Sequence, residues 1–135
     1  MKSFMSKYSV YCYALMRIVV GFLFLWHGAQ KLFGFPMGMP SGVPLFITYG
    51  GGSIELVGGI LVMVGLFTPL AAFLTSGEMA VAYWMAHGTK ALLPIVNNGE
   101  LAVIYCFVFL FIASQGGGIW SIDSLMDSSG KAPDR

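Results

Sequence analysis

The sequence predicts an all-α fold, an integral membrane four-helix transmembrane bundle in a single domain over residues 1–135, and three observations carry that prediction. The chain is 57% hydrophobic and 10% charged, against about 25% charged residues in soluble domains. Four apolar stretches recur, separated by segments of glycine, proline and polar residues. The first is long enough to cross a hydrocarbon core of about 30 Å. A soluble chain of this composition would lack the polar surface needed to face water. Seven basic and six acidic residues leave a net charge of +1, which gives no electrostatic footprint for nucleic acid. The partner this composition implies is the lipid bilayer.

Taken in order, a short polar tail with Lys2 and Lys7 precedes a first span over about 10–33. The apolar stretch follows basic residues, as in a signal peptide, but no A-x-A cleavage pattern follows it and it runs on to Phe33, so it reads as a retained span. It closes at Gly34, Phe35 and Pro36. A connection rich in glycine and proline leads to the second span, about 53–67, with a kinked extension back through Gly50, Gly51 and Gly52. Gly58, Gly59 and Gly65 favour close helix packing. Thr68 and Pro69 form a turn into the third span, about 70–86, because proline suits a helix start. Asn97 or Asn98 is the expected N-cap of the fourth span, about 99–113. Residues 126–135 read as a flexible tail.

Four spans put both termini on one side. Lys2, Lys7, Lys131 and Arg135 there, against Lys31 and Lys90 opposite, make the expected terminal side cytoplasmic. Cys12 and Cys106 form no C-x-x-C pair and sit in apolar stretches, so buried free thiols are expected, with a disulfide left open. Trp26, Trp84 and Trp120, with tyrosines near the span ends, read as interfacial anchors.

The topology gathers polar groups at one membrane face, from the ends of spans one and three and the starts of spans two and four. These are His27, Gln30, Lys31, Glu55, His87 and Glu100, a candidate ligand pocket in which Lys31 pairs with Glu55 or Glu100. Glu78 lies about 12 Å beyond Leu70 and Arg17 about 10 Å from its own end of span one, at 1.5 Å per residue. Their similar depth predicts a buried ion pair, Arg17 with Glu78. Membrane carboxylates are functional candidates because a charge at the bilayer centre costs about 2.5–3.5 kcal/mol or more; the competing reading is a structural ion pair holding the bundle. No metal site is expected, since His27 and His87 belong to no ligand motif. Nor is there a self-contained catalytic motif, so whether the chain is an enzyme stays open.

The motifs that carry a family resemblance are the R, G, F, HG, K, L, GF pattern from Arg17 to Phe35, Glu55 with Gly59, Gly65 to Thr68, the mid-span Glu78, Asn98-Gly99-Glu100, and GGGIWSID from Gly116 to Asp123. On these the chain resembles the DoxX family of small bacterial membrane proteins, over about residues 15 to 125. Pro69 and Ile119 stand where basic residues are common in that family. The resemblance implies a four-helix, multi-pass protein of the inner membrane; relatives have been linked to thiosulfate:quinone oxidoreductase subunits and to membrane-associated oxidoreductase complexes of oxidative stress, while many members have no assigned activity. The expected role is an accessory subunit of a membrane-associated oxidoreductase, with a quinone possible through a partner subunit; a homo-oligomer is also possible. The alternatives are a small transporter or channel that uses the same carboxylates, and a structural or assembly factor.

Overall fold

The computed structural model describes residues 4–129, and among them all regular structure is helical. Six α-helices follow one another: α1 Ser9–Phe33, α2 Gly52–Val64, α3 Thr68–Tyr83, α4 Pro94–Asn97, α5 Glu100–Gln115 and α6 Ile122–Ser129. A 3-10 turn, Ser6–Tyr8, leads into α1. The glycine-rich stretch before α2 is π-helical over Phe46–Gly51, and α3 continues as a π-helical segment, Trp84–Gly88. Two continuous helical stretches are long and apolar enough to cross a membrane, Ser6–Phe33 and Phe46–Val64.

α1 and α2 are antiparallel, and glycines set their separation. A methyl group on Gly28 would strike backbone atoms of Gly52 and Leu56, and one on Gly21 would strike backbone atoms of Gly59 and Met63. As the α1 number rises, the α2 partner's number falls. Absent side chains let the two backbones approach closely. α1 packs mainly on α2 and α3 mainly on α5, so the fold consists of two helix pairs joined along the α2–α3 contact. Between the pairs sits an aromatic core: Phe24 of α1 lies 5.1 Å from the Tyr105 ring and 4.6 Å from the Phe109 ring, both on α5.

The distribution of polarity is inverted relative to a soluble domain. Leu15, Val19, Phe22 and Leu23 of α1, Phe73 and Leu74 of α3, and Phe107 and Phe111 of α5 face outward, whereas Arg17, Glu55, Thr75 and Ser76 are buried. An apolar exterior, with the charged and polar groups buried beside the aromatic core, is the arrangement that lipid favours.

Several expectations change. The N-cap of α5 is Gly99, not Asn97 or Asn98; the Asn97 side chain instead accepts the Gly99 N–H at 2.8 Å and donates to the Ala91 carbonyl and Tyr83 hydroxyl. Both cysteines are free, but Cys12 is exposed on the outer face of α1 while Cys106 is half-buried near Ser76. Of the expected tail, residues 126–129 belong to α6, and 130–135 lie outside the described residues.

Candidate functional site

The Gly28 contact places the central group of side chains. Because α1 and α2 run antiparallel, Lys31 stands level with Gly52, whose missing Cβ would lie 2.9 Å from Lys31 Cβ, while Glu55 lies in the turn that faces Gly28; the close approach of the two backbones lets the long lysine side chain reach along α2 to the carboxylate. Lys31 Nζ and Glu55 Oε1 form an ion pair, the one between side chains among the described residues. Lys31 is in the last turn of α1, the helix end whose dipole favours its charge, whereas Glu55 lies inside the continuous helical stretch Phe46–Val64.

Glu78 joins this group from α3. The space above Gly51, which any β-carbon would fill, is bordered by Glu78 Oε1 at 3.1 Å and Lys31 Nζ at 3.9 Å. Glu78 is also within electrostatic reach of Glu55. The second oxygens of both carboxylates, Glu55 Oε2 and Glu78 Oε2, are fully buried and meet no hydrogen-bond donor of the protein. Three charged side chains from three helices thus share one layer.

A cavity of about 210 Å³ opens between α1, the end of α3 and α5, lined by Phe24, His27, Met79, His87, Asn98 and Tyr105 among others; Lys31, Glu55 and Glu78 do not line it, and it adjoins their layer through His27, in electrostatic reach of Lys31, and Tyr105, in reach of Glu55. The His27 ring lies against those of Phe24 and Tyr105, at 6.3 and 5.8 Å. His87 Nδ1 is 2.8 Å from the Asn97 carbonyl oxygen, and its ring stacks on Tyr83. The two histidines therefore border a common space, although no group of three metal-ligating side chains forms among the described residues. Gln30 is half-buried on α1, where its carbonyl accepts the Gly34 N–H. Glu100 is exposed in the first turn of α5 and stands apart from Lys31.

Arg17 does not pair with Glu78. It is fully buried at the other end of the α1–α2 contact, where its guanidinium donates to the carbonyls of Val62 at 2.7 Å, Met63 at 2.8 Å and Trp120 at 2.7 Å. The physical reason is that the last carbonyls of α2 lack the donors of a following turn, Val62 accepting only the Gly65 N–H from the main chain, at 3.2 Å, and a guanidinium serves several such carbonyls at once. Glu78, ten residues into α3, is about 15 Å along the axis from the start of that helix, at the opposite level.

Asp123, not singled out by the sequence, completes the Arg17 end. Its Oδ1 accepts the Phe67 N–H at 2.8 Å and its Oδ2 the Thr68 N–H at 2.9 Å, while its own N–H donates to the Gly65 carbonyl at 2.8 Å. One residue of α6 thus caps the start of α3 and the end of α2 together. Burial opposes ionisation of Asp123, but the hydrogen bonds from Thr68 and Phe67 and the charge of Arg17 hold its carboxyl below the ordinary value of 3.8. A larger open groove of about 1250 Å³ lies at this end, between Tyr13, Phe67, Phe111 and Trp120. It is remote from Lys31, Glu55 and Glu78, none of which lines it.

Comparison with known proteins bears on this geometry. The family model described as DoxX matches residues 13–88, a stretch that contains Arg17, Lys31, Glu55 and Glu78. A Haemophilus influenzae protein named "Uncharacterized protein" is 40% identical over 128 residues, covering 89% of this chain and 94% of the relative. A Bacillus subtilis (strain 168) protein named "Putative oxidoreductase CatD" is 27% identical over 113 residues, covering 81% of this chain and 82% of the relative. No solved structure matches.

Proposed function

The chain belongs to the DoxX family, and from that premise we propose that it is an accessory subunit of a membrane-associated, quinone-linked oxidoreductase, contributing a polar intramembrane pocket. The observation that carries this reading is the convergence of Lys31, Glu55 and Glu78 beside a cavity bordered by His27 and His87, inside a shell of outward apolar side chains. A merely structural ion pair needs one carboxylate; this layer has two, and His27, in electrostatic reach of Lys31, connects it to the cavity. The relative named as an oxidoreductase supports the redox association.

In this reading residues 1–135 form one membrane domain, with α1, α2, α3 and α5 as four transmembrane segments in the bacterial inner membrane. α3 with its π-helical continuation, Thr68 to Gly88, reaches about 30 Å, the thickness of the hydrocarbon core. The π-helical Phe46–Gly51 lengthens α2 in the same way. The lysines and arginine near the termini favour a cytoplasmic location for both.

The test is purification in mild detergent after gentle cross-linking, followed by an absorption spectrum and mass spectrometry of what accompanies the chain. A redox partner or bound quinone is expected, with recovery reduced in Glu55→Gln. A bare chain with no partner under these conditions would remove the accessory role.

A further inference from the structure

Charge does not balance in the layer of Lys31, Glu55 and Glu78. One ammonium faces two carboxylates, and it pairs with Glu55. Glu55 is only 2% exposed, yet its Oε2 has no donor from the protein, and Glu78 Oε2 is sealed in the same way. A buried carboxylate oxygen without a donor is a costly state. Two carboxylates in electrostatic reach of each other make it costlier, and such a pair titrates as a unit.

Among the described residues, Lys31 of α1 is in electrostatic reach of both carboxylates and Tyr105 of α5 in reach of Glu55, while His27 of α1 is in reach of Lys31. Lys31 is the single ammonium among them. The His27 ring packs against Phe24 and Tyr105, and Lys31 is the one cation set against Glu55 and Glu78 among the described residues.

We propose that Glu55 and Glu78 hold one exchangeable proton between them, opposite Lys31. The layer then contains one ammonium, one carboxylate and one carboxylic acid, and is neutral. A protonated carboxyl is also a donor, which supplies the hydrogen bond that the orphaned oxygens lack. Loading forms one O–H bond with a proton taken from water at the adjoining face, and release returns it; nothing is oxidised or reduced. The Lys31 side chain is 18% exposed, and it links the buried pair to that face. The inference deepens the polar-pocket reading above by naming a proton as what the pocket binds, and it rests on that pocket being embedded in lipid.

Infrared spectroscopy of the full chain in lipid vesicles tests it, because a protonated carboxyl has a carbonyl stretch distinct from that of a carboxylate. At neutral pH the wild type should show one such band per chain, shifting on exchange into heavy water. Glu78→Gln, a near-isosteric change, should abolish it. Glu55→Gln should abolish it too, since Glu78 then becomes the carboxylate partner of Lys31. Lys31→Met should double it, because both carboxyls must then be neutral. Absence of the band in the wild type, its persistence in Glu78→Gln, or its removal by sodium or potassium ions would overturn the proposal. Partner recovery is measured on the same preparations: a band without a partner sinks only the accessory-subunit reading, and a partner without a band sinks only the proton.

Discussion

Replacing Gly28 by alanine tests whether backbone contact between α1 and α2 sets the position of the whole polar layer. The added methyl carbon would lie 2.6 Å from the Gly52 carbonyl oxygen and 2.7 Å from Leu56 Cα, with the Leu56 nitrogen closer still. Optimal carbon contacts are about 3.5–4.0 Å, so the helices must separate by roughly 1 Å, and the atoms in the way are backbone with no rotamer to change. Overpacking of this kind costs about 1–3 kcal/mol, and three backbone collisions put this site near the top of that range. Alanine returns up to about 1 kcal/mol through helix propensity, leaving a net loss of about 2 kcal/mol. Gly77 is the internal control: it is also helical, on α3, but nothing lies within 4 Å of the position its Cβ would take. There Gly77→Ala should stabilise by about 0.5–1 kcal/mol. The assay is reversible unfolding in detergent, read by circular dichroism. Equal effects of the two substitutions, or a Gly28→Ala protein as stable as wild type, would refute the claim that close backbone approach sets the pair.

Arg17→Lys should destabilise by about 2–4 kcal/mol, because a single ammonium cannot serve both the α2 carbonyls and Trp120, and each buried carbonyl left unpaired costs about 1–3 kcal/mol; limited proteolysis should then cut the chain after Gln115 sooner than in wild type. Asp123→Ala should cost about 0.5–2 kcal/mol at neutral pH through loss of the α3 cap. The sign of its pH dependence follows from a carboxyl held below its ordinary value in the fold: the contribution is present above 3.8 and fades as pH falls through the lower folded value. Unfolding measured from pH 6 downward, on the order of four pH units, should therefore show the wild type converging on Asp123→Ala in acid, and a constant gap between them would contradict the charge-based part of the cap.

The legible parts of the molecule are those that depend on helical periodicity. Arg17, Gly21, Phe24 and Gly28 fall on one face by spacing alone, and that face is the buried one. Lys31 and Glu55 follow from the same logic, since the end of one helix must adjoin the start of the next. Arg17 was less legible because its partners are backbone carbonyls of Val62, Met63 and Trp120, and nothing in a sequence marks which carbonyls a helix end leaves open. Asp123 was illegible for a related reason. It caps Thr68 from 55 positions away, whereas capping signals are read within one turn. Glu78 was assigned by depth to the wrong partner, because depth along a helix does not say which neighbour it faces; the missing information was Gly51, whose bare backbone leaves room for the carboxylate.

These residues divide the fold into interfaces with different capacities. Within the α1–α2 pair, glycine backbone meets backbone at Gly21, Gly28 and Gly59, and no space remains for a ligand or for sliding. Within α3 and across to α5, small residues do similar work: Ser76 donates to the Cys106 carbonyl at 2.7 Å. The seam between the pairs is built instead from side chains with rotatable bonds: Glu78 against Lys31 and Glu55, and Phe24 and His27 against Tyr105. The cavity that His27 and His87 border lies on that seam. A change of charge at Glu78 acts there, where rotamers can respond, and not on the glycine contacts, where only whole helices could. Arg17 and Asp123 hold the far ends of the helices fixed, which leaves the Lys31 layer, on the seam, as the part where side chains can rearrange.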